Sequence, residues 1–215
     1  MAHGPVMGLG SGSVDVIPTE REILRLHEKY APSPEALDSV YTHCAIVGRI
    51  AEQLLDRASA GLPGKGVNAG EGVNAGLVRA GSLLHDIGVY RLYDEAGQLD
   101  HARYIWHGVL GHELLEAEGF AERICRFASC HTGVGISRED VIRQGLPLPV
   151  ADYLARTPEE KVVMYADKFH TKSSPPRFLT ADAYAASVRR FGEDKVAAFK
   201  AMRAQFGDPD LTRLG

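Results

Sequence analysis

His85 is followed directly by Asp86, and the pair closes the apolar run Ala80-Gly81-Ser82-Leu83-Leu84. A carboxylate beside an imidazole at the end of an apolar helix is costly to bury without a partner, so by itself the pair reads as an exposed helix end. Other residues change that reading. His43 lies in helical phase with Val47, Ile50 and Leu54, His107 with Tyr104, Gly111 and Leu114, and His131 with Phe120, Ile124 and Phe127. Asp167 interrupts the apolar run Val162-Val163-Met164-Tyr165-Ala166. Each of these alone is explained as a satisfied residue in or near a core. Four histidines and two aspartates on the inward faces of five helices need a common partner, and a pair of metal ions supplies one. Imidazole mixed with carboxylate suits Mn, Fe, Co, Ni or Zn rather than Mg or Ca. No cysteine belongs to the set, which argues against a structural zinc site.

The elements that must position these residues are helices, since strand signals are weak throughout. Thr19-Glu20-Arg21-Glu22 opens a short amphipathic helix running towards Tyr30. Pro34 suits a first helical turn, and Leu37, Val40, Tyr41, Cys44, Val47, Ala51 and Leu54 then carry one long helix to about Ala60. The segment 61–76 contains Gly-Val-Asn-Ala-Gly twice and reads as a flexible loop, with Gly64-Lys65-Gly66 lacking the context of a phosphate-binding loop. Further helices are expected from Leu77 to Asp86, from Ala102 to Glu118 and from Ala121 to His131. Ser137-Arg138-Glu139-Asp140 resembles a helix start, and Thr157-Pro158-Glu159-Glu160 caps a helix running through Phe169. Lys172 to Phe178 breaks the pattern before two last helices near 181–191 and 193–206. Nothing marks an internal boundary. The expectation is one all-α domain over 18–206, with a C-terminal helical extension and a disordered tail at 1–17.

Composition narrows the function. The chain has 215 residues, a net charge of −4, 45% hydrophobic and 24% charged residues. That is an ordinary globular balance, and it lacks the basic excess expected of a general nucleic-acid binder. The three cysteines, Cys44, Cys125 and Cys130, have no regular spacing and read as reduced thiols. The N-terminal residues have no cationic start followed by an apolar stretch, and no run of apolar residues is long enough to span a bilayer. A cytoplasmic protein without membrane or nucleic-acid partners is expected.

The order His43, then His85-Asp86-Ile87-Gly88, then Asp167 resembles the H…HD…D signature of HD-domain proteins in its HDIG form. His107-Gly108-Val109-Leu110-Gly111-His112-Glu113-Leu114-Leu115 resembles the family's HPxxGAxLL helix, and Glu159-Glu160-Lys161 through Ala166-Asp167-Lys168 its EEKxxxxADK ending. The resemblance covers roughly residues 38–170. It implies an all-α HD-domain bundle and a metal-dependent phosphohydrolase acting on a small phosphomonoester or nucleotide. It further implies a first metal on His43, His85, Asp86 and Asp167, and a second, bridged by Asp86, on His107 and His131. His85 and Asp86 then stand at the catalytic centre. Many HDIG proteins carry lysine directly after the glycine; here that position is Val89, which leaves Arg91 and Lys168 as candidates for phosphate contact. Expected partners are the small phosphorylated substrate and, in a homodimer, a second copy of the chain. Two other readings stay open. Some HD-fold enzymes use the same ligand set to hold two irons and activate oxygen, and a non-catalytic ligand-binding module is the third. His112, five residues from His107, points away from the stripe. His101 and His170 read as solvent-facing or as outer neighbours, and residues 131–135 as a loop at the mouth of the site.

Overall fold

The computed structural model describes residues 16–59, 72–173 and 175–214. Its helices are α1 (Glu20–Tyr30), α2 (Pro34–Ser59), α3 (Ala75–Leu84), α4 (His107–Ala117), α5 (Glu122–Cys130), α6 (Arg138–Gln144), α7 (Pro158–Ala166), α8 (Ala181–Val188) and α9 (Glu193–Phe206). Short 3-10 segments cover Ile87–Leu92, Tyr104–Trp106, Asp167–Phe169 and Arg189–Phe191. The fold is all-α as expected, with one addition. A two-residue antiparallel pair, β1 (His170–Thr171) and β2 (Arg177–Phe178), occupies the stretch where the helical pattern breaks.

Local chemistry explains the helix starts. Thr19 with Glu22, Ser137 with Asp140, and Thr157 with Glu160 each form a reciprocal capping box, so two orphan donors are satisfied at each start. The Asn74 side chain caps α3 by accepting from the Leu77 amide, and the Asn74 amide donates to Glu159. The second Gly-Val-Asn-Ala-Gly copy therefore belongs to the start of α3. The rest of the expected loop and all but the last two residues of the expected tail lie outside the described residues.

α2 is the spine. Val40, Cys44, Val47, Ile50, Ala51 and Leu54 are buried at helical spacing, and α2 packs against α3 and α7. α4 packs on α5 and on the 3-10 segment 87–92. That seam is closed by glycines. A Cβ on Gly88 would lie 2.0 Å from the His107 carbonyl oxygen, and one on Gly108 2.9 Å from that of Ala128. Only hydrogen at these positions lets the backbones approach and brings the histidines of α4 and α5 together. The C-terminal helices seat on α7, where Tyr165 meets Phe199 and Phe206 and donates its hydroxyl to the Gly207 carbonyl.

Four helices are clearly shorter than the periodicity suggested, among them α8, which ends at Val188 before the 3-10 turn Arg189–Phe191. The expected helix from Ala102 begins at His107, because the Asp100 carboxylate accepts from the amides of Ala102 and Arg103 and holds that stretch as a turn. α3 ends at Leu84, and Asp86 (φ −105°, ψ 9°) leaves the helical path. α7 ends at Ala166 and tightens into the 3-10 turn Asp167–Phe169. The shortened C-termini of α3 and α7 lie at the site.

Candidate metal centre

Of the six expected ligands only His43 comes from the middle of a helix. His85 caps the C-terminus of α3 and Asp86 follows it; His131 caps that of α5, Asp167 that of α7, and His107 opens α4. Three helix C-termini thus converge. Each carries partial negative charge and orphan carbonyls, an environment that favours a cation. The orphan carbonyls are used to aim the imidazoles. Nδ1–H of His85 donates to the Ser82 carbonyl at 2.7 Å, and that of His131 to the Ala128 carbonyl at 2.7 Å. Nδ1–H of His107 donates to the Tyr104 carbonyl at 2.6 Å. A carbonyl only accepts, so each Nδ1 carries a proton and each Nε2 is directed inward.

The Nε2 atoms meet in two groups on either side of Asp86. His43 Nε2 lies 3.2 Å from Asp86 Oδ2, 3.0 Å from Asp167 Oδ1 and 3.3 Å from His85 Nε2. His107 Nε2 and His131 Nε2 lie 3.0 Å from each other and 3.5 and 3.3 Å from Asp86 Oδ1. Each set has its ligand atoms within 4.8 Å of one another, a spacing that could hold an ion. His85 and Asp86 are fully buried and His43 is 1% exposed. Burial opposes ionisation of Asp86, yet Lys172 and His85 beside it hold its carboxyl well below the usual carboxylate range. Burial also pushes His131 down, and His107 down to about 3, so both imidazoles are neutral. Two neutral imidazoles with facing lone pairs, beside a buried carboxylate oxygen without a hydrogen-bond donor, repel unless a cation lies between them. The donor set therefore fits a transition-metal ion on each side of Asp86.

The structure brings all six expected ligands together and separates the remaining candidates. His112 turns away to Ser129 and Glu122. Arg91 is exposed and lines neither cavity beside the cluster, because the 3-10 segment that carries it turns it outward. Lys168 is buried; it donates to Asp167 Oδ2 at 2.6 Å and to the His131 carbonyl at 3.0 Å, and so braces two of the ligands. Lys172 was missed, and His170, expected as solvent-facing or as an outer neighbour, takes the second of those places. His170 is buried behind His43, their Nδ1 atoms 2.9 Å apart; its Nδ1 accepts from Nδ1–H of His43, which leaves His43 Nε2 free. Lys172 donates its ammonium to Asp86 Oδ2 and lines both cavities. The pattern break at 172–178 was the only sequence signal near either residue.

One cavity, of about 420 Å³, runs from Asp86, His107 and His131 past residues 132–136 to the end of α8. The loop after His131 thus forms its wall, with Gly133 (φ 59°) and Gly135 (φ 92°) in left-handed turns. The second, of about 490 Å³, opens between Asp167, Lys168, His170, Tyr93 and Tyr184. Asp167, Tyr104 and Lys172 line both.

A sequence model of the HD domain matches residues 40–172, which hold every one of the six clustered residues. The chain belongs to the HD domain family. An uncharacterized protein of Methanocaldococcus jannaschii is 39% identical to this HD domain protein over 137 residues, 63% of this chain and 69% of its own length. Two tRNA (cytidine(56)-2'-O)-methyltransferases also match, that of Picrophilus torridus at 43% identity over 91 residues and that of Thermoplasma volcanium at 30% over 154. The aligned stretches cover 42% and 72% of this chain but only 23% and 37% of those enzymes. Among solved structures, the HD domain of the L. monocytogenes phosphodiesterase PgpH aligns with 86% of this chain. It does so alone and in complex with cyclic-di-AMP, at TM-scores of 0.46 and 0.48, with 19% and 18% identity over 94% and 92% of the neighbour. Among the described residues no helix is long and apolar enough to cross a membrane.

Proposed function

We propose that the protein is a metal-dependent phosphohydrolase acting on a small phosphomonoester or nucleotide. In this reading His43, His85, Asp86 and Asp167 would hold one divalent ion, and Asp86, His107 and His131 would hold the other. The observation that carries it is the facing of the neutral His107 and His131 lone pairs beside a buried carboxylate whose other oxygen faces His43. Two divalent ions held there would supply positive charge for a phosphoryl group and lower the pKa of a bound water.

The chain's own residues do the rest. The backbone carbonyls of Ser82, Tyr104 and Ala128 fix the tautomers, and His170 fixes that of His43. Lys168 holds Asp167 in its orientation. Lys172 takes over the role expected of Arg91. Its ammonium stands where both cavities meet the cluster, positioned to contact a phosphate oxygen.

Metal analysis of the purified protein, followed by a phosphate-release screen over nucleotides and sugar phosphates, tests the proposal. Bound transition metal and release from at least one small phosphoester are expected. An iron pair that consumes oxygen without releasing phosphate would move the same ligand set to the oxygenase reading.

A further inference from the structure

The cavity beside His107 and His131 is much larger than a phosphate needs. Its far side is built by residues that lie beyond the 40–172 family match: Val188, Arg190, Phe191 and Lys195. Lys195 pins this wall to the site by donating to the Gly135 carbonyl at 3.0 Å and to Asp140. The wall is therefore pre-formed and fastened to the loop that follows His131. Ile105, Ile136 and Leu146 add aliphatic surface to the lining.

An exposed aromatic ring stands in this lining. Phe191 is 43% exposed, and its ring lies 4.7 Å from the guanidinium carbon of Arg190. An exposed phenyl face costs free energy in water. A guanidinium stacked on the ring keeps its donors free for an acceptor on a ligand. Asp140, the acid of this cavity's wall, is neutralised by Lys195 and Arg143, so the slot does not repel an anion.

From this arrangement we infer that the C-terminal extension forms a specificity subsite in which Phe191 and Arg190 take a planar aromatic group of the substrate while its phosphate sits at the metal cluster. The inference rests on the phosphohydrolase reading and narrows it: the substrate is a phosphoester of an aromatic or base-bearing alcohol, in preference to a sugar or glycerol phosphate. The length and apolar walls of the slot favour it, because a sugar phosphate would leave them in contact with water.

The test uses the full chain and the variants Phe191→Ala and Arg190→Ala, both altered at exposed positions. Adenosine 5′-monophosphate, p-nitrophenyl phosphate and ribose 5-phosphate serve as probes. Base–aromatic stacking corresponds to about a 5- to 150-fold change in affinity. Wild type should therefore favour one or both aromatic probes over ribose 5-phosphate by about ten-fold or more in kcat/KM. Phe191→Ala should raise KM for the favoured probe by a similar factor and leave ribose 5-phosphate unchanged. Preference for the nucleotide alone identifies a base, and preference for both a general aromatic group. Equilibrium dialysis of the same three compounds with the metal-loaded protein separates the two levels of the claim. If nothing is hydrolysed but the aromatic compounds still bind in a Phe191-dependent way, the reaction is misassigned and the subsite stands. Equal treatment of all three probes by wild type, or equal losses on all three in the variants, overturns the subsite.

Discussion

Gly88→Ala puts a single methyl group at the tightest point of the structure. Its Cβ would lie 2.0 Å from the His107 carbonyl oxygen, 2.3 Å from the Gly111 amide nitrogen and 2.7 Å from the Gly111 Cα. Real Cβ contacts are essentially never shorter than 3.0 Å, so backbone has to move by about 1 Å, and no flexible side chain is available to yield. Ordinary overpacking costs about 1–3 kcal/mol; a clash with two backbone segments falls at or above the upper end. For a protein of this size that is a fall in Tm of at least about 6–12 °C. The movement displaces the start of α4, so His107 leaves His131 and the second ion site fails before the first. Gly48→Ala is the control. Gly48 lies inside α2, and its Cβ meets only Ser82 Cβ of α3 at 3.5 Å, an ordinary contact. It should gain up to about 1 kcal/mol from helix propensity. Differential scanning calorimetry with metal analysis reads both variants. A Gly88→Ala protein with wild-type Tm and full metal content would refute the seam as the device that sets the His107–His131 spacing.

Glu160→Ala should cost about 3–5 kcal/mol in urea titrations. It strands the Arg126 guanidinium, held at 2.7 and 3.0 Å, and removes the acceptor of the Arg156 and Thr157 amides; a loss below about 1 kcal/mol would show the pair to be dispensable. His27 is buried between Tyr90 and the Leu83 carbonyl, and burial lowers its pKa from 6.5 to about 4. The native state thus binds fewer protons than the unfolded one. The His27 contribution is complete above pH 6.5 and is lost as pH falls towards about 4, a span worth about 3 kcal/mol. His27→Gln should flatten stability over that window, and an unchanged slope would contradict it. Lys172→Met removes a charge from both cavities. It should raise KM for the phosphoester by about ten-fold or more through loss of a charged hydrogen bond, and an unchanged KM would remove Lys172 from the phosphate site.

The legible part of this protein is local. Capping boxes at Thr19, Ser137 and Thr157 are four-residue signals, and each starts a helix where the sequence places it. The inward phase of His43, His107 and His131 follows from a 3.6-residue period that α2, α4 and α5 obey. Asp167 was legible as a break in an apolar run. What escaped depends on backbone that leaves this period. Arg91 sits on a 3-10 segment, where three residues per turn change which side chains face the site. His170 follows a 3-10 turn and opens β1, and Lys172 comes directly after β1, so their placement rests on how this short hairpin packs against α2. The burial of Lys168 escaped for a related reason: its partners, Asp167 and the His131 carbonyl, come together only when α5 and α7 pack.

The central claim is that Asp86 serves two ions at once. Metal content and phosphate release by the wild type, Asp86→Ala and His107→Ala, measured at matched free metal, test it directly. Two ions per chain are expected in the wild type. In Asp86→Ala both should be lost together with turnover, because a shared carboxylate holds both ions. In His107→Ala the second ion should weaken while the first stays partly occupied. Normal turnover with two ions retained in Asp86→Ala would contradict the account and leave the HD fold as a scaffold for a site elsewhere.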